Sequence, residues 1–144
     1  GKVDERVLSD LLAHPYFSVR GAKSLDRYDF SLDAIRALSV EDGAATLTAF
    51  TAETIAIGLR ACAETPTLMI ACGGGRRNPT LMRAIRARAS VAVKSAEDVG
   101  WRGDSVEAEA IAFIAARCAQ DLPITFPGTT GAPKPMTGGR IVTP

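Results

Sequence analysis

The run Leu68-Met69-Ile70-Ala71-Cys72, followed by Gly73-Gly74-Gly75 and then Arg76-Arg77-Asn78-Pro79, passes from an apolar strand through three glycines into a helix. That is the build of a turn facing a phosphate or a nucleotide. Glycine reaches φ > 0 and lets a ligand lie against bare amides, while the first turn of the next helix offers unpaired N–H groups and a positive dipole end. A P-loop would need Gly-Lys-Ser/Thr where the chain has Asn78, Pro79 and Thr80, so Walker-type chemistry is rejected. A Rossmann fingerprint matches at Gly73 and Gly75 but meets Asn78 where its third glycine belongs, although Glu97 and Asp98 follow about 20 residues on, where a ribose-binding acid would sit. The adenosine motif of the sugar-kinase, actin and heat-shock ATPase superfamily (apolar strand, Gly-Gly, short spacer, Asn, then Leu on a helix) fits Gly73 to Met82 position by position. Gly73, Gly74, Gly75 and Asn78 are therefore the candidate nucleotide-binding residues, against the plainer reading of a tight connection with Asn78 as an ordinary helix cap.

Other polar groups carry less. Arg76 and Arg77, adjacent in a turn, are expected to be solvated. His14 has no Cys or Asp at ligand spacing and is expected to be structural, as are Tyr16, Phe17 and Phe50. Cys62, Cys72 and Cys118 fit neither a disulfide framework nor a zinc knuckle and are expected reduced and mostly buried, so no metal ligand set is assigned.

The elements that must position the glycine turn follow from periodicity. Apolar residues at 3, 7, 8, 11 and 12 predict an amphipathic helix capped by Asp4 and ended by Pro15. Ser31 caps a predicted short helix bearing Leu32, Ile35 and Leu38. From about 42 to 63, Ala, Thr, Ile and Leu predict a helix buried on most of its circumference. The continuous apolar run at 67–72 predicts a strand covered on both faces. Pro79 opens a helix with Leu81, Met82 and Ile85 inward, 90–94 form a second strand, and Asp104 or Ser105 caps a long Ala-rich helix to about 120. Nine of the 22 residues from 123 on are Pro or Gly, which predicts an irregular end with at most a short extended piece at Ile141-Val142. Two strands are few for five helices, and the opening lacks Met, so the expectation is the C-terminal portion of a larger protein.

Bulk properties bound the partners. With 144 residues, 47% hydrophobic and 23% charged, the chain belongs with globular domains rather than disordered ones. Seventeen Lys and Arg against sixteen Asp and Glu leave a net charge of +1 with no basic block, which gives nucleic acid no electrostatic footprint and points to a small-molecule partner. Apolar runs fall short of the roughly 20 residues that span a bilayer, and no secretory segment opens the chain, so no membrane role and a cytoplasmic location are expected.

Several separate segments together resemble the anhydro-N-acetylmuramic acid kinases of bacterial cell-wall recycling. They are Leu12-Ala13-His14-Pro15-Tyr16-Phe17, Lys23-Ser24-Leu25-Asp26-Arg27, Ala45-Thr46-Leu47-Thr48-Ala49-Phe50-Thr51-Ala52, Cys72-Gly73-Gly74-Gly75 with Asn78-Pro79, Asp104 with Glu107-Ala108, and Thr130-Gly131-Ala132. The resemblance spans essentially the whole chain. It implies an α/β fold of the actin-like, sugar-kinase ATPase superfamily, helix-rich with a short parallel sheet, of which residues 1–144 are the C-terminal part of the second lobe. It implies ATP with Mg²⁺ as cofactors, hydrolytic opening of the 1,6-anhydro ring, phosphorylation of the 6-hydroxyl, and a homodimer. Asp104 and Glu107 become candidate sugar contacts, each with a capping or dipole role as the plainer reading. The catalytic aspartate and the phosphate-binding segment are implied to lie upstream, so no catalytic residue is assigned and the segment alone is expected to be inactive. The readings left beside it are a dinucleotide-binding oxidoreductase segment and a non-catalytic interaction domain.

Overall fold

The structure is a computed structural model that describes residues 1–142 except 22, 25, 27 and 28. Helix α1 (Glu5–Leu12) starts where the Asp4 carboxylate accepts the Val7 N–H at 3.0 Å. Its apolar stripe buries Leu8 and Leu11. The chain then turns through a 3₁₀ segment, Pro15–Ser18, where His14 Nδ1 accepts the Tyr16 N–H at 3.2 Å and the imidazole lies 5.0 Å from the Phe30 ring. His14 thus has a local structural role. Phe17, Phe30 and Phe50 pack ring to ring at 5.2 to 6.0 Å.

Helix α2 (Asp33–Arg36) is a single turn, preceded by Ser31, whose hydroxyl accepts the Asp33 N–H. Helix α3 (Val40–Arg60) is the longest element; Ser39 caps it by accepting the Asp42 N–H at 3.1 Å, so it begins two residues before the expected start and ends three short. Gly43, Thr46, Ala49, Ala52 and Ala56 are its buried stripe. Small side chains there let the neighbouring helices approach closely. The one polar member, Thr46, is satisfied: its hydroxyl accepts the Asp4 N–H at 2.9 Å and donates to the Asp42 carbonyl at 2.7 Å, joining the start of α1 to α3. The rest of α3 is half-buried or exposed, not buried on most of its circumference. An Ala and Thr pattern offers apolar surface all round but does not say what covers it.

Strands β1 (Leu68–Ala71) and β2 (Ala92–Ser95) form a two-stranded parallel sheet in register Leu68↔Ala92 to Ala71↔Ser95, with helix α4 (Pro79–Arg88) as the crossover. The core lies on one side of this sheet, where Ala52 of α3, Ala71 of β1, and Met82 and Ile85 of α4 bury one another. An ion pair from Arg88 Nε to Glu53 Oε1 at 2.8 Å links α4 to α3 at the edge of that core. The chain is therefore α/β and helix-rich, with a short parallel sheet.

Two expectations, the cover on both faces of β1 and the burial of the thiols, are corrected by the rest of the chain. Leu68 at the head of β1 is exposed, so the strand is not covered on both faces. Helix α5 (Val106–Ala119) has no buried residue, and Ile111 and Phe113 are 61% and 62% exposed. The tail has no strand at Ile141-Val142, within the expected irregular end, and pairs through an antiparallel bridge between Thr125 and Met136 around the short helix α6 (Pro127–Thr130). Cys62 and Cys72 are exposed and Cys118 is half-buried, so the thiols are not mostly buried.

Candidate functional site

Parallel strands leave the sheet at the same edge, and the loops after β1 and β2 meet there, where open α/β sheets place their ligands. After Cys72 the backbone bends at Gly73, φ 74° and ψ 179°, a conformation that a side chain resists. A 3₁₀ turn, Gly74–Arg77, follows and ends on Asn78. Cβ atoms added at Gly73 or Gly74 would meet nothing within 4 Å, and one at Gly75 would meet only Leu81 Cδ2 at 3.5 Å. The bend is therefore open and exposed on its outer side. Gly73 donates its N–H to the Gly103 carbonyl at 3.3 Å, whereas the Gly74 and Gly75 amides have no hydrogen-bond partner among the described residues.

Asn78 Oδ1 accepts the Thr80 and Leu81 N–H groups at 3.0 and 3.1 Å, and its carbonyl accepts the Met82 N–H. With Pro79 lacking an N–H, the first turn of α4 is fully satisfied from within. The expected free helix N-terminus is thus absent, and the donors left to a ligand belong to the glycines. Sequence alone overestimated the helix end because a cap of this quality and a phosphate compete for the same amides.

Arg76 overturns the expectation of a solvated side chain. Only 4% of its side chain is exposed. Nη2 lies 2.6 Å from Glu97 Oε1, and Nε lies 3.0 Å from both Glu97 oxygens. Nη1 donates to the Gly73 carbonyl at 2.7 Å and to Asp104 Oδ1 at 2.9 Å. Arg77, 67% exposed, pairs with the other Asp104 oxygen. The hydrogen bonds from Arg76 pull the Glu97 carboxyl down to about 2, helped by backbone amides at Glu97 and Gly103. The same guanidinium lowers Asp104, and its own affinity for its proton is raised by Glu97 first and Asp104 second. Asp98 is held low by the Ser95 backbone N–H, which its carboxylate accepts at 2.8 Å.

Asp104 is therefore not a cap. Ser105 precedes α5 in a helical conformation, and no side chain bonds to the helix start. Charge-assisted bonds to two guanidinium groups outcompete neutral amides for that carboxylate. Glu107 sits exposed in the first turn of α5 and makes no hydrogen bond or ion pair among the described residues. Lys23 donates Nζ to the Tyr16 and Val19 carbonyls at 2.8 Å, a local tie, while Arg27 lies outside the described residues. Gly103 was missed by sequence reasoning. Buried beneath the cluster, it would place a Cβ 2.6 Å from Arg76 Cζ and from Glu97 Oε1, so a larger residue there would push this ion pair aside. No local signal marked it, because the crowding comes from residues 6 and 27 positions earlier in the chain.

A family model described as anhydro-N-acetylmuramic acid kinase matches residues 1–144. The chain belongs to the anhydro-N-acetylmuramic acid kinase family. Proteins of that name are similar throughout: that of Caulobacter vibrioides is 61% identical over 142 residues, covering 99% of this chain and 38% of the relative. That of Phenylobacterium zucineum is 58% identical over 144 residues, covering 100% and 39%, and that of Rhizobium rhizogenes 53% over 141 residues, covering 98% and 38%. The chain thus spans about two fifths of the length of these curated relatives. In this chain Glu97 is not free for a ribose: the acid that a dinucleotide domain would turn to its ligand is bound to Arg76. Among the described residues no three His, Cys, Asp or Glu side chains gather as for a metal, and Glu97 and Asp104 are neutralised by guanidinium, so the groups present do not fit a Mg²⁺ site. No helix among the described residues is long and apolar enough to cross a membrane.

Proposed function

We propose that this chain is the nucleoside-holding part of an ATP-dependent kinase for 1,6-anhydro-N-acetylmuramic acid in peptidoglycan recycling. The observation that carries the reading is the open bend at Gly73, Gly74 and Gly75, with two unpaired amides at the carboxyl edge of a parallel sheet, in a chain of this family. Bare backbone of that kind admits a flat nucleoside to van der Waals distance, with Asn78 beside it. The reaction opens the anhydro ring with water and transfers the γ-phosphoryl group to the freed 6-hydroxyl. It needs a carboxylate base and charge stabilisation around the triphosphate. Neither is assigned to residues 1–144. Mg²⁺ enters with the phosphates of ATP, not on ligands of this segment.

In this reading the segment is the C-terminal part of the second lobe of an actin-like, two-lobed enzyme that works as a homodimer in the cytoplasm. Glu107, with an unengaged carboxylate, is the sugar contact of choice, able to accept hydrogen bonds from hydroxyls. Asp104 reaches the sugar only through whatever acceptor capacity its two arginines leave. Thermal-shift titration of the complete enzyme tests the cofactor: ATP with Mg²⁺ raises Tm with concentration, whereas NAD leaves it unchanged. Stabilisation by NAD alone would overturn the proposal. For the sugar, Glu107→Ala raises KM for the anhydro-sugar and leaves KM for ATP unchanged.

A further inference from the structure

We infer that Arg76 is a positioning residue for the nucleotide, acting through Gly73: its buried guanidinium ties the glycine bend to the loops that carry Glu97 and Asp104. The inference rests on the nucleotide reading above and adds what holds that bend in shape.

Three consecutive glycines lose more backbone entropy on ordering than any other tripeptide, so the bend needs support from outside itself. The support is visible at Gly73. Its carbonyl receives Arg76 Nη1 at 2.7 Å and its N–H reaches the Gly103 carbonyl at 3.3 Å, so both polar groups of one peptide residue are fixed by the cluster. Glu97 enters from the loop after β2 and Asp104 from the loop before α5. The guanidinium therefore joins three segments that are separate in sequence. Gly103 supplies the space in which the guanidinium and Glu97 lie together.

The chemistry demands arginine. One planar fork serves Glu97 through Nε and Nη2 and leaves Nη1 for Gly73 and Asp104. A lysine ammonium gathers its donors at one compact point and lacks the planar fork that holds Glu97 through two nitrogens while a third reaches Gly73 and Asp104. Burial makes the partners interdependent, since removing one leaves an uncompensated charge. The outward face of the bend keeps the Gly74 and Gly75 amides free, so the clasp shapes the surface from behind without occupying it.

The test uses the complete enzyme, with ATP as the probe. Arg76→Lys and Glu97→Gln are each expected to raise KM for ATP about tenfold or more, with kcat and the sugar KM changed less than twofold. Amide exchange in peptides spanning 72–80 speeds up in both variants, while protection in α3 stays at the wild-type level. A purely structural role would instead lower protection throughout and affect both substrates alike, which overturns the inference. Gly74→Val serves as the reference. If it raises KM for ATP while Arg76→Lys and Glu97→Gln do not, the positioning role is wrong and the nucleotide reading stands. If all three leave KM for ATP unchanged, the nucleotide reading fails and the inference falls with it.

Discussion

Arg76 and Glu97 meet across 21 residues of chain, Nη2 to Oε1 at 2.6 Å, with the arginine almost wholly covered and the carboxylate half-open to solvent. This pair connects the ends of the two strands, since Arg76 follows β1 and Glu97 follows β2. Its formation therefore depends on the parallel ladder being in register.

Acid stability follows from that pair. A carboxyl held at about 2 against an ordinary 4.5 contributes stability that is complete above its unfolded value and is lost as pH falls toward 2. Denaturation midpoints of the wild type should fall steeply from pH 5 to pH 2.5, and those of Glu97→Gln should fall less. The gap between the two should shrink as the pH drops. Parallel profiles would show that Glu97 does not titrate with folding.

The glycines separate conformation from ligand contact. Gly73→Ala meets no neighbour but must hold φ 74° with ψ 179°, at a cost of about 1–3 kcal/mol in chemical denaturation. Gly74→Val faces open space, so stability should change little, whereas under the proposed reading ATP affinity of the complete enzyme drops about tenfold or more because the isopropyl group stands in the proposed nucleoside site. Normal ATP binding by the valine variant would falsify the assignment of this bend.

The observed cap at Asn78 can be separated from its proposed contact with the nucleotide. Asn78→Ala leaves the Thr80 and Leu81 amides without their acceptor and should cost about 1 kcal/mol of stability. Asn78→Asp keeps an acceptor and restores that stability, but loses the carboxamide N–H₂. ATP affinity should stay low in the aspartate variant if the amide faces the nucleotide. Recovery of both stability and affinity would reduce Asn78 to a cap.

Purified residues 1–144 should turn over no anhydro-sugar in an assay that follows ADP release. The carboxylates tied to the bend through Arg76 are Glu97, pulled down to about 2, and Asp104, lowered by the same guanidinium, and neither is suited to take a proton near neutral pH. Measurable turnover would place the catalytic base within this segment.

The α4 end of the site was legible because its signals are local. Asn78 as cap, Pro79 in the first turn, and Met82 and Ile85 as the inner face all follow from spacings within one helix, and the structure has each of them. The two parallel strands were legible for the same reason, to within two residues. Arg76 was not. Its partners lie 21 and 28 residues away on loops that converge only after the sheet has formed, and two adjacent basic residues in a turn carry no local mark of burial. Asp104 shows the converse error: its position before a helix fits a cap, but charge elsewhere in the fold claims it first. The exposure of helix α5 was not legible either, because an Ala-rich composition records what a helix could bury and not what is at hand to cover it.

That bared helix has a practical result at the bench. With Ile111 and Phe113 in water, a recombinant version of these 144 residues should stick to itself and elute as mixed aggregates. Exchanging those two side chains for glutamine or lysine is the direct route to a monodisperse sample, because neither touches the glycine bend or its arginine clasp.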